Sequence, residues 1–126
     1  MTSTELVLQL VTAERQRQQD KWGEQNHQNI NPDMLGYGPT TAARFYCVPT
    51  AAEAKMRTDS RARCGHVTWA DILIEEVAEA IEAATLLEDA IDVAGYEQTA
   101  RRVLVDELVQ VAAVAVQWAE KLDGGE

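Results

Sequence analysis

The stretch DILIEEVAEAIEA, residues 71–83, decides how this chain folds. Placed on a helical wheel at about 100° per residue, Trp69, Ile72, Leu73, Ile74, Val77, Ala80, Ile81 and Ala84 gather on one broad face, the mark of a helix packed against a core. Asp71, Glu75 and Glu82 fall on the opposite side, where water solvates them. Glu76 does not. It lies inside the apolar arc, one turn from Ile72 and one from Ala80, with Glu79 at the edge of the arc. A carboxylate among aliphatic side chains is costly unless something pairs with it.

Working outward, every other periodic segment is helical too. Ser3 or Thr4 is placed to cap a first helix to about Trp22, with Leu6, Val7, Leu10 and Val11 inward and a polar second half, ERQRQQDKW. Gly23 stops it. Residues 23–39, GEQNHQNINPDMLGYGP, have loop chemistry at a length that marks function or mobility, with Tyr37 between two glycines as a candidate lid tip. A short helical piece at about 40–47 precedes Pro49, and Thr50 with Glu53 forms a T-x-x-E capping box opening a helix through about Arg63. Thr68, with Asp71 three residues on, caps the acidic helix, which continues to about Ala90. Gly95 interrupts, and a last helix spans about Glu97 to Leu122. With no strand pattern and no internal repeat, the expected fold is all-α.

The last helix repeats the puzzle of the acidic one. Apolar residues from Val103 to Leu122 cover about two thirds of its circumference, so neighbours should wrap it on several sides. In so short a chain this predicts an antiparallel helical bundle completed by a second subunit. Into that face projects Glu107, one turn from Val103 and Val111, with Gln110 at its border and Lys121 farther along. Trp69 and Trp118 read as core.

Length and charge narrow the partners. At 126 residues the chain is read as one domain over 1–126. Lys plus Arg number 11 against 21 Asp plus Glu, a net charge of -10 that repels a nucleic-acid polymer or an anionic membrane. A phosphate-bearing ligand therefore needs metal ions or a few placed cations. No apolar run is long enough for a membrane span and the start MTSTELVLQL lacks signal-peptide features, so a cytoplasmic location is expected. Cys47 and Cys64 fit neither a disulfide framework nor a zinc site and read as reduced structural thiols. His27, His66, Arg101 and Arg102 read as surface residues.

Two helices thus each carry an acid where packing alone would place an aliphatic residue. Carboxylates that meet in a bundle interior share protons or bind metal. Oxygen ligands at i and i+3 suit Mg²⁺ or Mn²⁺ rather than zinc. A di-iron centre is disfavoured, since neither helix carries an E-x-x-H pattern. The competing reading is a non-catalytic oligomerisation module in which Glu76 and Glu107 pair with arginines across an interface.

EEVAE, residues 75–79, together with ELVQ, residues 107–110, resembles the E-E-x-x-E and E-x-x-D signature of the all-α nucleoside triphosphate pyrophosphohydrolases, the MazG-like and dimeric dUTPase-like superfamily. ERQRQQDKWGEQNH, TWADILIEEVAEA and ELVQVAAVAVQWAEKL look like the short MazG-like proteins of phages and actinobacteria; residues 28–62 and 85–99 match nothing in that pattern. The resemblance implies hydrolysis of a nucleoside triphosphate between the α and β phosphates by a homo-oligomer, a dimer or tetramer, using Mg²⁺ or Mn²⁺. A deoxynucleotide substrate, with purines slightly favoured, follows from the phage and actinobacterial likeness. Residue by residue, Glu76, Glu79 and Glu107 match metal-binding acids, and Glu75 matches the leading Glu that serves as a further ligand or positions water. Gln110 stands where the family usually has Asp, keeping an oxygen donor but losing a charge. For substrate binding, Lys21 and Lys121 are candidates for the outer phosphates, and Trp22 and Gln25 for the base.

Overall fold

A computed structural model describes residues 1–91 and 93–123. Its helices are α1 (Ser3–Trp22), α2 (Gly38–Phe45), α3 (Ala51–Arg63), α4 (Trp69–Ala90) and α5 (Glu97–Asp123), with a 3₁₀ turn at Pro32–Met34. Among the described residues there is no strand, and no helix is long and apolar enough to cross a membrane.

Three of the helices start with the same device. Thr50 with Glu53 and Thr68 with Asp71 close reciprocal capping boxes, as the sequence predicts. For α1 the cap is Thr2 rather than Ser3 or Thr4. Its hydroxyl accepts from the Glu5 N–H at 3.1 Å while the Glu5 carboxylate accepts from the Thr2 N–H at 2.8 Å. Only Thr2 has a glutamate three residues on; from Ser3 or Thr4 that position is Leu6 or Val7.

By contact the chain forms two compact units, Met1–His27 with the end of the chain from Ala115, and Gln28–Val114. In the first, α1 buries only Val7; Leu6, Leu10 and Val11 are exposed. In the second, α2 and α3 both pack against α4. The approach is close because the meeting residues are small: Ala42, Ala43, Ala54 and Ala78 are all buried.

This packing covers the face of α4 that the wheel assigns to solvent. Asp71 is buried at 9 % exposure, and Glu75 and Glu82 are half-buried. A wheel drawn for one helix cannot show that two more lie against its polar side. Asp71 tolerates burial because Thr68 donates to it from both its N–H and its hydroxyl, at 3.0 and 2.9 Å, and Arg61 of α3 pairs with it. Those bonds hold its carboxyl below the usual range, the Thr68 N–H first among them.

The other side of α4 meets α5. Ala83, Ala84 and Leu87 form a core cluster with Leu104 and with Ile30, flanked by Met34, Ile81 and Ala100. Ile30 comes from the long segment after α1, so that segment is tied down rather than open. Asn29 Nδ2 donates to Glu88 at 2.7 Å, the Gly36 N–H donates to Asp89 at 3.1 Å, and the Asn31 N–H donates to the Tyr46 hydroxyl at 2.8 Å. Tyr37, the candidate lid tip, is exposed and immediately precedes α2.

The wrapping expected around α5 is not supplied within the chain. Leu104 is its one buried residue among those described, while Val105, Leu108 and Val109 are 53, 52 and 60 % exposed. Trp69 and Trp118 are half-buried. Cys47 and Cys64 are exposed free thiols, not packed ones. They flank the 13-residue α3, about 20 Å long at 1.5 Å per residue, so they do not reach each other.

Candidate metal centre

The connection between α4 and α5 is short, which lays the two helices antiparallel. Running back past one another, the two helices bring position 107 of α5 level with the stretch of α4 that holds Glu76 and Glu79. Glu107 thus arrives beside Glu79, and Glu76 follows one turn earlier on the same side of α4. One carboxylate oxygen from each of Glu76, Glu79 and Glu107 lies within 4.8 Å of the others. All three side chains are half-buried.

Nothing in the described chain neutralises them. Glu76 Oε2 and Glu107 Oε2 are buried without a hydrogen-bond partner. Burial raises the Glu76 carboxyl above its ordinary range, and the charges of Glu107 and Glu75 add to the effect. Glu79 is pushed up to about 7, first by burial, then by the charge of Glu76 and by a hydrogen bond with Glu107. No arginine or lysine is among the influences on either group. Without a cation such a cluster holds a proton near neutrality.

Comparison with protein-family models, curated proteins and solved structures finds no match to this chain. The site rests on its own chemistry. Three glutamates on two helices, each bringing one oxygen to the cluster and two of them carrying a buried oxygen without a donor, form a hard ligand set that suits a divalent cation and leaves coordination positions for water or phosphate.

The remaining candidates are distributed as follows. Glu75 is half-buried next to Glu76, and its charge acts on both Glu76 and Glu79. Gln110, three residues beyond Glu107, is exposed. Lys21, Trp22, Gln25 and Lys121 belong to the other unit. There Lys21 Nζ sits 4.8 Å from the centroid of the Trp22 ring, which is 55 % exposed, and Lys121 is exposed near the end of α5. The sequence reading missed the Arg61–Asp71 pair, which fixes α3 against α4 one turn ahead of Glu75. Its visible signal was the capping box, which places Asp71 at the helix start without revealing the arginine.

Proposed function

We propose that this protein is a metal-dependent nucleoside triphosphate pyrophosphohydrolase, converting a (d)NTP and water to the (d)NMP and pyrophosphate. The observation that carries the reading is the convergence of Glu76, Glu79 and Glu107 with two buried oxygens left unpartnered. Those three residues would hold Mg²⁺ or Mn²⁺, and the resemblance of EEVAE and ELVQ to the MazG-like signature supplies the reaction.

When bound, such a cation offsets the site's repulsion of phosphates, polarises their oxygens and activates a water. The chain's own part is to bring three carboxylates together from two helices and to bury an oxygen of Glu76 and one of Glu107. Glu75, whose charge acts on Glu76 and Glu79, is proposed to orient an attacking water. Gln110 can add a neutral carbonyl oxygen. Lys21 and Lys121 are proposed for the outer phosphates and Trp22 and Gln25 for the base, with a deoxynucleotide, slightly favouring purines, as substrate and the cytoplasm as location.

The working form is proposed to be a homo-oligomer, dimer or tetramer. The apolar strip of Val105, Leu108 and Val109 exposed on α5 supports it. The same strip suits a non-catalytic oligomerisation module, in which Glu76 and Glu107 would pair with arginines of a second subunit.

Phosphorus NMR of each common NTP and dNTP with the protein and Mg²⁺, wild type beside Glu76→Gln, tests the reading. Monophosphate and pyrophosphate should form with wild type and not with the variant. Intact triphosphates throughout, with Mn²⁺ tried as well, would sink it.

A further inference from the structure

α5 stands off from α4, although both helices bring alanine to the space between them. α2 and α3 come up close to α4, where Ala42, Ala43, Ala54 and Ala78 are buried, and among the described residues α5 makes no comparable backbone approach. Yet α4 offers Ala83 and Ala84 on this side and α5 offers Ala100. Helices that meet through such small side chains approach to about 8 Å between axes. The separation instead leaves a cavity of about 250 Å³, lined from α4 by Ala83, Leu86 and Ala90 and from α5 by Thr99, Ala100 and Val103. Something holds the two helices apart.

Ile30 lies in the gap. Among the described residues it is the one buried member of the cluster of Ala83, Ala84, Leu87 and Leu104 that comes from neither helix, and it is 6 % exposed. Its neighbours in the chain pin it there. Asn29 Nδ2 donates to Glu88 of α4 at 2.7 Å, and the Asn31 N–H donates to the Tyr46 hydroxyl at 2.8 Å. The cluster it joins stands one turn from the carboxylates on both helices: Ala83 is four residues beyond Glu79, and Leu104 is three before Glu107. A divalent cation takes its oxygens at about 2.0–2.6 Å, and ligands that reach it from two helices must be held to within about 0.5 Å.

We infer that Ile30 is a positioning residue for the carboxylate centre, a spacer that holds α4 and α5 at the separation at which Glu76, Glu79 and Glu107 can share one divalent cation. The inference rests on the cation reading of that site. It gives a task to the segment after α1, which matches nothing in the MazG-like pattern.

Mn²⁺ binding to the whole chain, followed by electron paramagnetic resonance of the free ion, tests it. Ile30→Ala should weaken binding tenfold or more, while Ile30→Leu, which keeps the volume, should restore it to within about threefold of wild type. Asp71→Ala, which loosens α4 on its α3 side, controls for lost stability and should leave Mn²⁺ affinity within twofold. Circular dichroism confirms that each variant is helical, and if Ile30→Ala does not fold, Ile30→Val carries the same test. Unchanged Mn²⁺ affinity in the Ile30 variant, or an equal loss in Asp71→Ala, would overturn the spacer.

A metal-free arm separates this inference from the reading it rests on. If wild type binds no Mn²⁺, the cation reading falls, and the spacer is judged by urea denaturation in EDTA of Ile30→Ala, Glu107→Gln and the double variant, with Ile30→Val again in reserve. Without the spacer α5 moves toward α4 and the carboxylates crowd. Glu107→Gln should then favour folding of the Ile30 variant at least threefold more than it favours folding of wild type. Strict additivity of the two substitutions would remove the spacer and leave the cation reading to the Mn²⁺ result.

Discussion

Glu76 of α4 and Glu107 of α5 each bury a carboxylate oxygen that no donor reaches, with Glu79 between them. Like charges brought together away from water oppose folding, and the cost persists until a cation or a proton joins them. Removing one charge should therefore help the metal-free fold while harming the site. Glu76→Gln or Glu107→Gln is expected to raise the melting temperature in EDTA by about 4 °C, on the order of 1 kcal/mol for a domain of this size. The same variants should lose the stabilisation that Mg²⁺ or Mn²⁺ gives wild type, about 2.7 kcal/mol at a hundred times the dissociation constant. Melting curves with and without metal check both signs; a variant that melts lower than wild type in EDTA would refute the account of two orphaned charges.

The raised carboxyls set a pH dependence in the metal-free protein. Between the ordinary glutamate value and the value of about 7 reached by Glu79, the folded state binds a proton that the unfolded chain has released. Stability then falls as pH rises through that window and levels off above it. Glu14, Glu53 and Asp71 have lowered values, so their contributions are lost only in more acid solution and stay constant here. Denaturant midpoints in EDTA should decline from pH 5 to pH 8 by the equivalent of about 1 kcal/mol, the coupled carboxyls being partly screened by solvent. Saturating Mg²⁺ should abolish or reverse the slope, because metal competes with the proton.

Asp71 offers a contrasting acid, one that is fully partnered. It caps α4, accepts from Thr68 and pairs with Arg61 of α3. Truncation to alanine removes a cap and leaves Arg61 without its anion, though Arg61 is half exposed and can turn to water. Asp71→Ala should cost about 2 kcal/mol in urea denaturation, and Arg61→Ala less than half of that. If the two substitutions cost the same, the ion pair rather than the cap carries the stabilisation.

How far the sequence reached can be traced through such residues. The capping boxes at Thr50 and Thr68 and the bounds of α4 were legible because caps and periodicity are local. So was the inward aim of Glu76 and Glu107, since each conflicts with its own helix. What escaped was pairwise. The burial of Asp71 depends on α3 and α2 lying across the polar face of α4, and the anchoring of Ile30 depends on a groove formed by Ala83, Ala84, Leu87 and Leu104 from two other helices. A single-helix wheel has no term for either.

The exposed strip on α5 was legible in another way, as an excess of apolar residues that one chain does not use. Val105, Leu108 and Val109 each leave half or more of their surface to water; Val105 and Val109 lie on the side of the helix away from Leu104 and Glu107, and Leu108 stands one turn beyond Leu104. A second copy covering them would remove aliphatic surface worth about 25 cal/mol per Å². Val109→Glu places a charge in that contact without touching the core, so folding of the monomer should survive while assembly weakens at least tenfold. Sedimentation equilibrium across a concentration series, with circular dichroism to confirm retained helix, measures both. A wild type that stays monomeric at high micromolar concentration would count against the oligomer, and a Val109→Glu variant that assembles as tightly as wild type would move the interface to another face.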